Sequence, residues 1–175
     1  MKINHLAMKK IGLFYSFHTQ KTAKVAEKIQ KALGEKDVEA LNVEEVDEKK
    51  FASFDNLILG VSTWFDGELP NYWDEFVPAI EEMDLKGKKV AIYGLGDQVN
   101  YPENFCDGIG IMGKLMEQQG AELVGFVSAD EYNFESSVSL RGDKFAGLAL
   151  DQENQARKTN KRIEDWVADL KKSFN

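Results

Sequence analysis

The chain has 175 residues, of which 43% are hydrophobic and 11% aromatic. These proportions are ordinary for a folded protein, and the length fits one domain around a single core. The 22 basic and 30 acidic residues give a net charge of −8, which argues against general binding to nucleic acid or anionic lipid, because both need a basic face.

The cysteine content and the first residues indicate where the chain works. The single cysteine, Cys106, allows no internal disulfide and fits a reducing compartment. No apolar run approaches the roughly 20 residues that cross a bilayer, and residues 1–10 lack the apolar stretch of a signal peptide. We therefore expect a cytoplasmic protein without membrane insertion, made of an N-terminal extension (residues 1–8) and one domain (residues 9–175).

Short apolar runs alternate along the chain with segments of helical spacing. The runs that fit strands are 11–15, 38–43, 57–61, 90–94, 123–128 and 145–150. The segments with apolar residues at helical spacing are 22–33, 72–83, 104–119 and 153–172. Five principal strands in this alternation predict a three-layer α/β fold, with a doubly wound parallel sheet of order 2-1-3-4-5.

One segment breaks the alternation. Residues 129–144 carry polar and aromatic side chains without a clear period, between two strand-like segments. We interpret them as an insertion into the last strand. No linker or internal repeat indicates a second domain.

The loop after the first strand leads directly into a helix and reads Ser16-Phe17-His18-Thr19-Gln20-Lys21-Thr22. Ligands of such sheets bind at the carboxyl ends of the strands. Hydroxyl groups, a lysine and the N–H groups of a helix N-terminus together form a candidate phosphate site, although Ser and Thr also cap helices. The loop lacks the glycines of a Walker loop or a dinucleotide fingerprint, so neither a nucleoside triphosphate nor NAD is expected.

Two further loops follow the third and fourth strands, and each carries an aromatic residue. Trp64 follows the third strand and can cover a flat ligand or pack against a neighbouring helix. Tyr101 follows the fourth strand and offers a second wall, while Gly94 and Gly96 allow the backbone to approach a ligand closely. The three loops together predict a pocket for a phosphorylated planar heterocycle.

Four stretches of the chain resemble the long-chain flavodoxin family, in the family's order. They are Phe14-Tyr15, Thr63-Trp64, Gly96-Asp97-Gln98 with Tyr101, and Gly147-Leu148-Ala149-Leu150-Asp151. The resemblance covers about residues 9–172. It implies a non-covalently bound FMN and low-potential, single-electron transfer between redox enzymes, with neither catalytic residues nor a metal.

The resemblance also implies a role for each matching position. The first loop would hold the phosphate, Trp64 and Tyr101 would sandwich the isoalloxazine ring, and Asp97 would accept hydrogen bonds from its pyrimidine edge. Backbone groups around Thr63, Gly96 and Cys106 would assist, and Asp151 matches a position near the ribityl chain. The expected cofactor-binding residues are Ser16, Phe17, His18, Thr19, Gln20, Lys21, Thr22, Ser62, Thr63, Trp64, Phe65, Asp66, Gly67, Gly96, Asp97, Asn100, Tyr101, Cys106 and Asp151.

The first loop departs from the family pattern Gly-Ser/Thr-x-Thr-Gly-x-Thr. Ser16, Phe17 and Gln20 stand where the first glycine, the hydroxyl residue and the second glycine belong. The hydroxyl missing at Phe17 corresponds to about 1–3 kcal/mol if nothing replaces it. His18 either replaces it by donating from its ring or stays an exposed bystander.

The family peptide that reorients on reduction corresponds to Phe65–Asp66. A bulky side chain there makes a positive φ cost about 1–2 kcal/mol.

Two alternative functions share the fold. An FMN-dependent NAD(P)H oxidoreductase needs a nicotinamide site over the flavin, yet Trp64 and Tyr101 are expected to cover both faces. A flavin-free interaction domain is favoured by the altered first loop. A phosphoacceptor receiver, however, needs an aspartate after the third strand, where this chain has Ser62-Thr63-Trp64.

The acidic residues are concentrated around the predicted pocket. Residues 64–107 hold 3 basic and 10 acidic side chains, a local charge of −7. This charge disfavours adding negative charge to the flavin, so we expect a low potential. It also attracts basic docking faces of redox partners, reductases and electron acceptors alike. We expect a monomer.

Overall fold

The computed structural model describes residues 8–175, and its strands and helices alternate as the sequence predicts. The strands are β1 (Ile11–Tyr15), β2 (Val38–Asn42), β3 (Asn56–Gly60), β4 (Lys89–Leu95), β5 (Glu122–Val124), β6 (Val127–Ser128), β7 (Leu140–Arg141), β8 (Lys144–Phe145) and β9 (Leu148–Leu150). The helices are α1 (Lys21–Leu33), α2 (Glu48–Ala52), α3 (Asn71–Asp74), α4 (Val77–Glu81), α5 (Asp107–Gln118) and α6 (Thr159–Ser173).

The main sheet is parallel and has the order β2-β1-β3-β4-β5, which confirms the predicted topology. Every residue of β1 and β3 is buried. Helices cover both faces of the sheet, so these strands need apolar side chains on both sides. This is why they appear in the sequence as nearly unbroken apolar runs.

Two segments share the last strand position. β5 pairs with Lys89–Ala91 of β4, and β9 pairs with Tyr93–Leu95 of the same strand. Between them the chain leaves the parallel sheet, and β6, β8 and β7 form a small antiparallel sheet. The predicted insertion into the last strand is confirmed, and it runs from Gly125 to Gly147, wider than the predicted 129–144.

Each face of the sheet has its own core, and alternate side chains of β1 point to opposite faces. Phe14 enters one core with Trp73 and Phe105, whereas Leu13 enters the other with Trp166. Helix α1 buries one face against the second core, through Val25, Ala26, Ile29 and Leu33.

Several helix limits differ from those predicted. The segment 72–83 forms two short helices, because Pro78 near the start of α4 has no N–H to continue a helix from α3. The last helix begins at Thr159 rather than near 153, since the Asp151 carboxylate accepts the N–H groups of Glu153 and Asn154 and turns the chain there. Helix α5 begins at Asp107 instead of 104.

Helix α2 was not predicted, because five residues are too few to show a helical period. Its start is set by Asp47, whose side chain accepts a hydrogen bond from Lys50 N.

The predicted N-terminal extension falls mostly on residues 1–7, which lie outside the described residues. Met8 packs against the second core, and Lys9 N donates to Asn175 O at 2.7 Å. Within residues 8–175, no helix combines the length and apolar character needed to cross a membrane.

Two glycines of α5 test how closely the insertion packs on this helix. A Cβ at Gly110 would lie 2.4 Å from the backbone oxygen of Val138, whereas one at Gly113 would meet the ends of two side chains, Leu123 at 3.0 Å and Ile92 at 3.7 Å. We expect Gly110→Ala to lower the free energy of unfolding by about 1–3 kcal/mol through overpacking. Gly113→Ala should cost less, because Leu123 can move and alanine favours a helix. Urea denaturation measures both, and equal losses would contradict this packing.

Candidate functional site

A cavity of about 490 Å³ opens between the loops that follow β3 and β4, at the carboxyl edge of the sheet. It is lined by Thr63, Trp64, Phe65, Gly96, Asp97, Tyr101 and Asn104. A second cavity of about 240 Å³ shares four of these residues and is bordered in addition by Lys21, Leu95, Gln152 and Glu153. Residues from all three predicted loops therefore border one continuous region.

Two aromatic rings face this region. Trp64 is half-buried, and its ring meets Tyr72 of α3 edge to face, with centroids 5.8 Å apart and an interplanar angle of 89°. Tyr101 is 60% exposed. The contact with Tyr72 holds one ring in place while leaving it beside the cavity. The predicted packing on a helix is therefore present, and the covering of a ligand by Trp64 stays a prediction.

The turn after Trp64 is closed by backbone hydrogen bonds. Trp64 N donates to Glu68 O at 2.8 Å, and Glu68 N donates to Trp64 O at 2.7 Å. Between them Phe65 has a φ of +47° and Gly67 a φ of +88°. Phe65 thus adopts the conformation that its side chain makes costly, and the two hydrogen bonds hold it there.

The same turn packs against the start of α5. A Cβ at Gly67 would lie 2.7 Å from Oδ2 of Asp107 and 2.8 Å from Nδ2 of Asn104, so a larger residue would have to displace both side chains and adopt a strained φ. Thr63 Oγ1 accepts a hydrogen bond from Gly108 N at 2.9 Å. Asp66 lies exposed in the turn.

Asp97 organises the loop that carries Tyr101. Its Oδ1 accepts from the N–H groups of Val99 and Asn100, at 3.1 and 2.9 Å, and from Asn154 Nδ2 at 2.8 Å. Its Oδ2 accepts from Asn100 Nδ2 at 2.8 Å. Burial raises the pKa of Asp97, but the hydrogen bonds from Asn100, Asn154 and Val99 outweigh it and lower the pKa overall. Oδ2 retains an acceptor position, and its expected bond to a flavin stays a prediction.

Asp151 and Cys106 lie beneath the site rather than on its surface. Asp151 is fully buried, and Oδ2 accepts from Gln98 N and Gln98 Nε2 at 3.1 and 2.8 Å. Cys106 is 1% exposed, with a φ of +53°. Burial raises the pKa of its thiol, so the thiol stays protonated and unreactive. Neither side chain borders the two cavities.

In the first loop, the threonine hydroxyls bind the protein itself. Thr19 Oγ1 donates to Ser16 O at 2.7 Å, and Thr22 Oγ1 lies 2.9 Å from Ser62 Oγ of the second loop. No side chain caps α1, and in the described part of the chain no acceptor takes the N–H groups of residues 20–23. These groups and Lys21, which also pairs with Glu153, are donors for an anion.

Phe17 and His18 make their contacts outside the two cavities. The ring of Phe17 is 48% exposed, packs 5.0 Å from Tyr15 and borders a separate groove beside β2. His18 lies against Glu44. Neither residue borders the two cavities, and their expected roles at the phosphate stay predictions.

The insertion is hydrogen-bonded to the loop that carries Tyr101. Asn133 N donates to Gln98 Oε1 at 2.6 Å, and the N–H of Ser136 donates to Pro102 O at 3.0 Å. The ring of Phe134 stacks on Phe105, with centroids 5.2 Å apart. Because Gln98 also donates to Asp151, one side chain links the insertion, the Tyr101 loop and the end of β9.

Sequence reasoning missed three residues that matter here. Gln98 belongs to the motif Gly96-Asp97-Gln98 but was given no role, and Asn104 stands in the same loop after β4, where an amide side chain carries no periodic signal. Glu44 follows β2 at the edge of the sheet where ligands bind, and that position was the available signal.

The family model described as Flavodoxin matches residues 13–166. The chain belongs to the flavodoxin family. The flavodoxin of Nostoc sp. is 43% identical over 166 residues, which are 95% of this chain and 98% of that protein. Flavodoxin 1 of Escherichia coli is 37% identical and covers 94% of both chains. The crystal structure of Fusobacterium nucleatum flavodoxin bound to flavin mononucleotide superposes with a TM-score of 0.91 at 39% identity, covering 96% of this chain and all of that one. The resemblance drawn from the four flavodoxin motifs is confirmed.

Gln98→Ala tests the link between the insertion and the site of this family member. It removes both side-chain bonds, leaving Asn133 N–H without its acceptor and Asp151 with one donor fewer. We expect the free energy of unfolding to fall by about 1–3 kcal/mol, and hydrogen exchange to accelerate in the loop of residues 97–105. Gln118→Ala, on the exposed side of α5, is the control and should change neither. Unchanged exchange in the Gln98 variant would refute the link.

Proposed function

We propose that residues 9–175 form a single domain that binds one FMN non-covalently and carries single electrons between redox enzymes. The observation that carries this proposal is the slot between Trp64 and Tyr101, which continues past Thr63 and Gly96 toward the uncapped start of α1. A planar ring fits the first part and a phosphate the second. The FMN named for the Fusobacterium nucleatum relative supports the same ligand.

The residues present suit the parts of FMN. Aromatic side chains stack on a flat ring and exclude water from its faces. Backbone N–H groups at a helix N-terminus bind a phosphate because they lack intrahelical partners. When bound, FMN supplies the one-electron chemistry, and the chain positions it and sets its electrostatic environment.

The charge around the slot bears on both potential and partners. Asp66, Glu68 and Glu103 are exposed on the loops that border it, within the segment whose net charge is −7. Negative charge there disfavours further electrons on the ligand, so we propose a low potential. The same charge suits reductases and acceptors with basic docking faces. We further propose that the chain acts as a monomer in the cytoplasm.

Replacing Tyr101 tests the slot. Tyr101→Ala removes one aromatic wall, and stacking on such a wall contributes about 1–3 kcal/mol, so the Kd for FMN should rise by about 10- to 100-fold. Tyr101→Phe keeps the ring and should stay within about threefold of the unmodified chain. Quenching of tryptophan fluorescence on adding FMN to flavin-free protein measures both. An unmodified chain that stays colourless and unresponsive to FMN would overturn the proposal.

Charge reversal tests the docking surface. With a reductase that has a basic docking face, raising the salt concentration to 0.5 M should slow electron transfer by about tenfold or more, because salt screens steering. Glu68→Lys should slow it at low salt, whereas Glu164→Lys, exposed on α6, should have little effect. Equal effects of the two variants would assign the attraction to net charge alone.

A further inference from the structure

A carboxylate from the turn after β2 lies against the first loop. Glu44 Oε2 accepts a hydrogen bond from Ser16 Oγ at 2.9 Å and lies 2.5 Å from His18 Nδ1. Ser16 is buried, while the side chains of His18 and Glu44 are 80% and 34% exposed. A single carboxylate oxygen thus engages polar side-chain atoms from two residues of the loop proposed to hold the phosphate.

These two residues are the side-chain donors of the loop that face Glu44, while a further donor of the loop, Lys21, pairs with Glu153. The hydroxyls of Thr19 and Thr22 are already engaged, with Ser16 O and with Ser62. Ser16 and His18 instead face an anion, and a phosphate monoester seeks the same kind of donor. A carboxylate and a phosphate that compete for the same donors also repel each other.

We propose that Glu44 is an internal competitor for the phosphate of the cofactor. In the flavin-free protein its carboxylate occupies Ser16 Oγ and His18 Nδ1, and a phosphate monoester takes over these donors when it binds. The inference rests on the proposed function, since it concerns the phosphate end of FMN. It gives this loop a lower affinity for phosphate than the same loop without the carboxylate.

The contact between His18 and Glu44 can be displaced because it is exposed, whereas the hydrogen bond from Ser16 is partly buried. Surface ion pairs contribute little to stability, since water and salt screen them. Backbone N–H groups at the start of α1 stay available throughout, so the competition changes the affinity for phosphate without abolishing it.

The pH sets how strongly His18 takes part. The hydrogen bond with Glu44, then the charges of Glu44 and Glu45, raise the pKa of His18 above its ordinary value. Lys21, in the same loop at the start of α1, pairs with Glu153. Asp47 and Lys50 border the groove beside Phe17 together with Glu45. His18 is therefore cationic below its raised pKa, and its attraction for either anion is lost as the pH rises through that value.

Glu44→Gln tests the competition directly. It keeps the shape of the side chain and removes its charge, so the Kd for FMN at pH 6 should fall by about three- to tenfold. At pH 8 the gain should be smaller, because His18 without Glu44 is then neutral. The Kd for riboflavin, which lacks the phosphate, should not change. Glu45→Gln removes a neighbouring carboxylate that makes no hydrogen bond to the loop in the described residues, and should give a smaller gain.

A second measurement uses the flavin-free protein. The NMR signal of the His18 ring protons is assigned by its loss in His18→Asn. It should titrate at a lower pH in Glu44→Gln than in the unmodified chain. At pH 6, inorganic phosphate should shift that signal at lower concentration in Glu44→Gln. Comparing the variants at one pH cancels the titration of the added phosphate, because its charge is then the same in every sample.

The outcomes separate this inference from the proposed function. Equal or weaker FMN binding by Glu44→Gln, with the unmodified chain still binding FMN, would overturn the competitor role alone. Tighter binding of riboflavin as well as FMN would also overturn it, since the effect would then not concern the phosphate. Failure of the unmodified chain to bind FMN would instead overturn the proposed function.

Discussion

A carboxylate in a protein interior is tolerated only where hydrogen-bond donors surround it, because burial removes it from water. Asp151, at the end of β9, meets this condition with donors from both neighbouring loops: Gln98 from one side, and the N–H groups of Glu153 and Asn154 from the other. The loops that border the cavity therefore stay where they satisfy this charge. The position of Tyr101 depends on it, although Tyr101 does not touch Asp151 through any hydrogen bond in the described residues.

The rest of the site shows the strain that such a scaffold can hold. Phe65 and Cys106 are the non-glycine residues with positive φ among residues 8–175, and they stand in the loops after β3 and β4. Conformations of this kind cost about 1–3 kcal/mol each and persist where the surroundings determine them. Around Phe65 the determinant is the pair of hydrogen bonds between Trp64 and Glu68. Around Cys106 it is the insertion, since Ser139 Oγ donates to Cys106 O at 2.6 Å.

Electrostatics set two opposing requirements on the molecule. A chain of net charge −8 has to hold an anionic ligand under the proposed function. Salt and water screen the repulsion between the ligand and distant charges, whereas the N–H groups at the start of α1 act at contact distance. Local donors can therefore outweigh the effect of the net charge. Glu44 is where the two requirements meet, because it brings a negative charge into contact with the donors themselves.

The fold was largely predictable from the sequence. The runs at 11–15 and 57–61 fit strands covered on both faces, and their alternation with amphipathic helices predicted the sheet order. The motifs around Thr63-Trp64 and Gly96-Asp97-Gln98 also indicated the loops that border the cavity. These features are legible because burial imposes a period on local composition, and because the carboxyl ends of parallel strands meet at one edge.

Contacts between segments far apart in the chain were decided only by the tertiary structure. Examples are the division of the last strand between β5 and β9, the burial of Asp151 beneath the loops, and the separation of Phe17 from the slot. Gln98 joins the insertion to β9 across 53 residues, and Glu44 meets His18 across 26. A single polar residue produces no periodic pattern in the sequence, and its hydrogen-bond partner depends on how helices and loops pack. The sequence by itself therefore determined which loops border the cavity, while packing decided which side chains line it and which hold the loops in place.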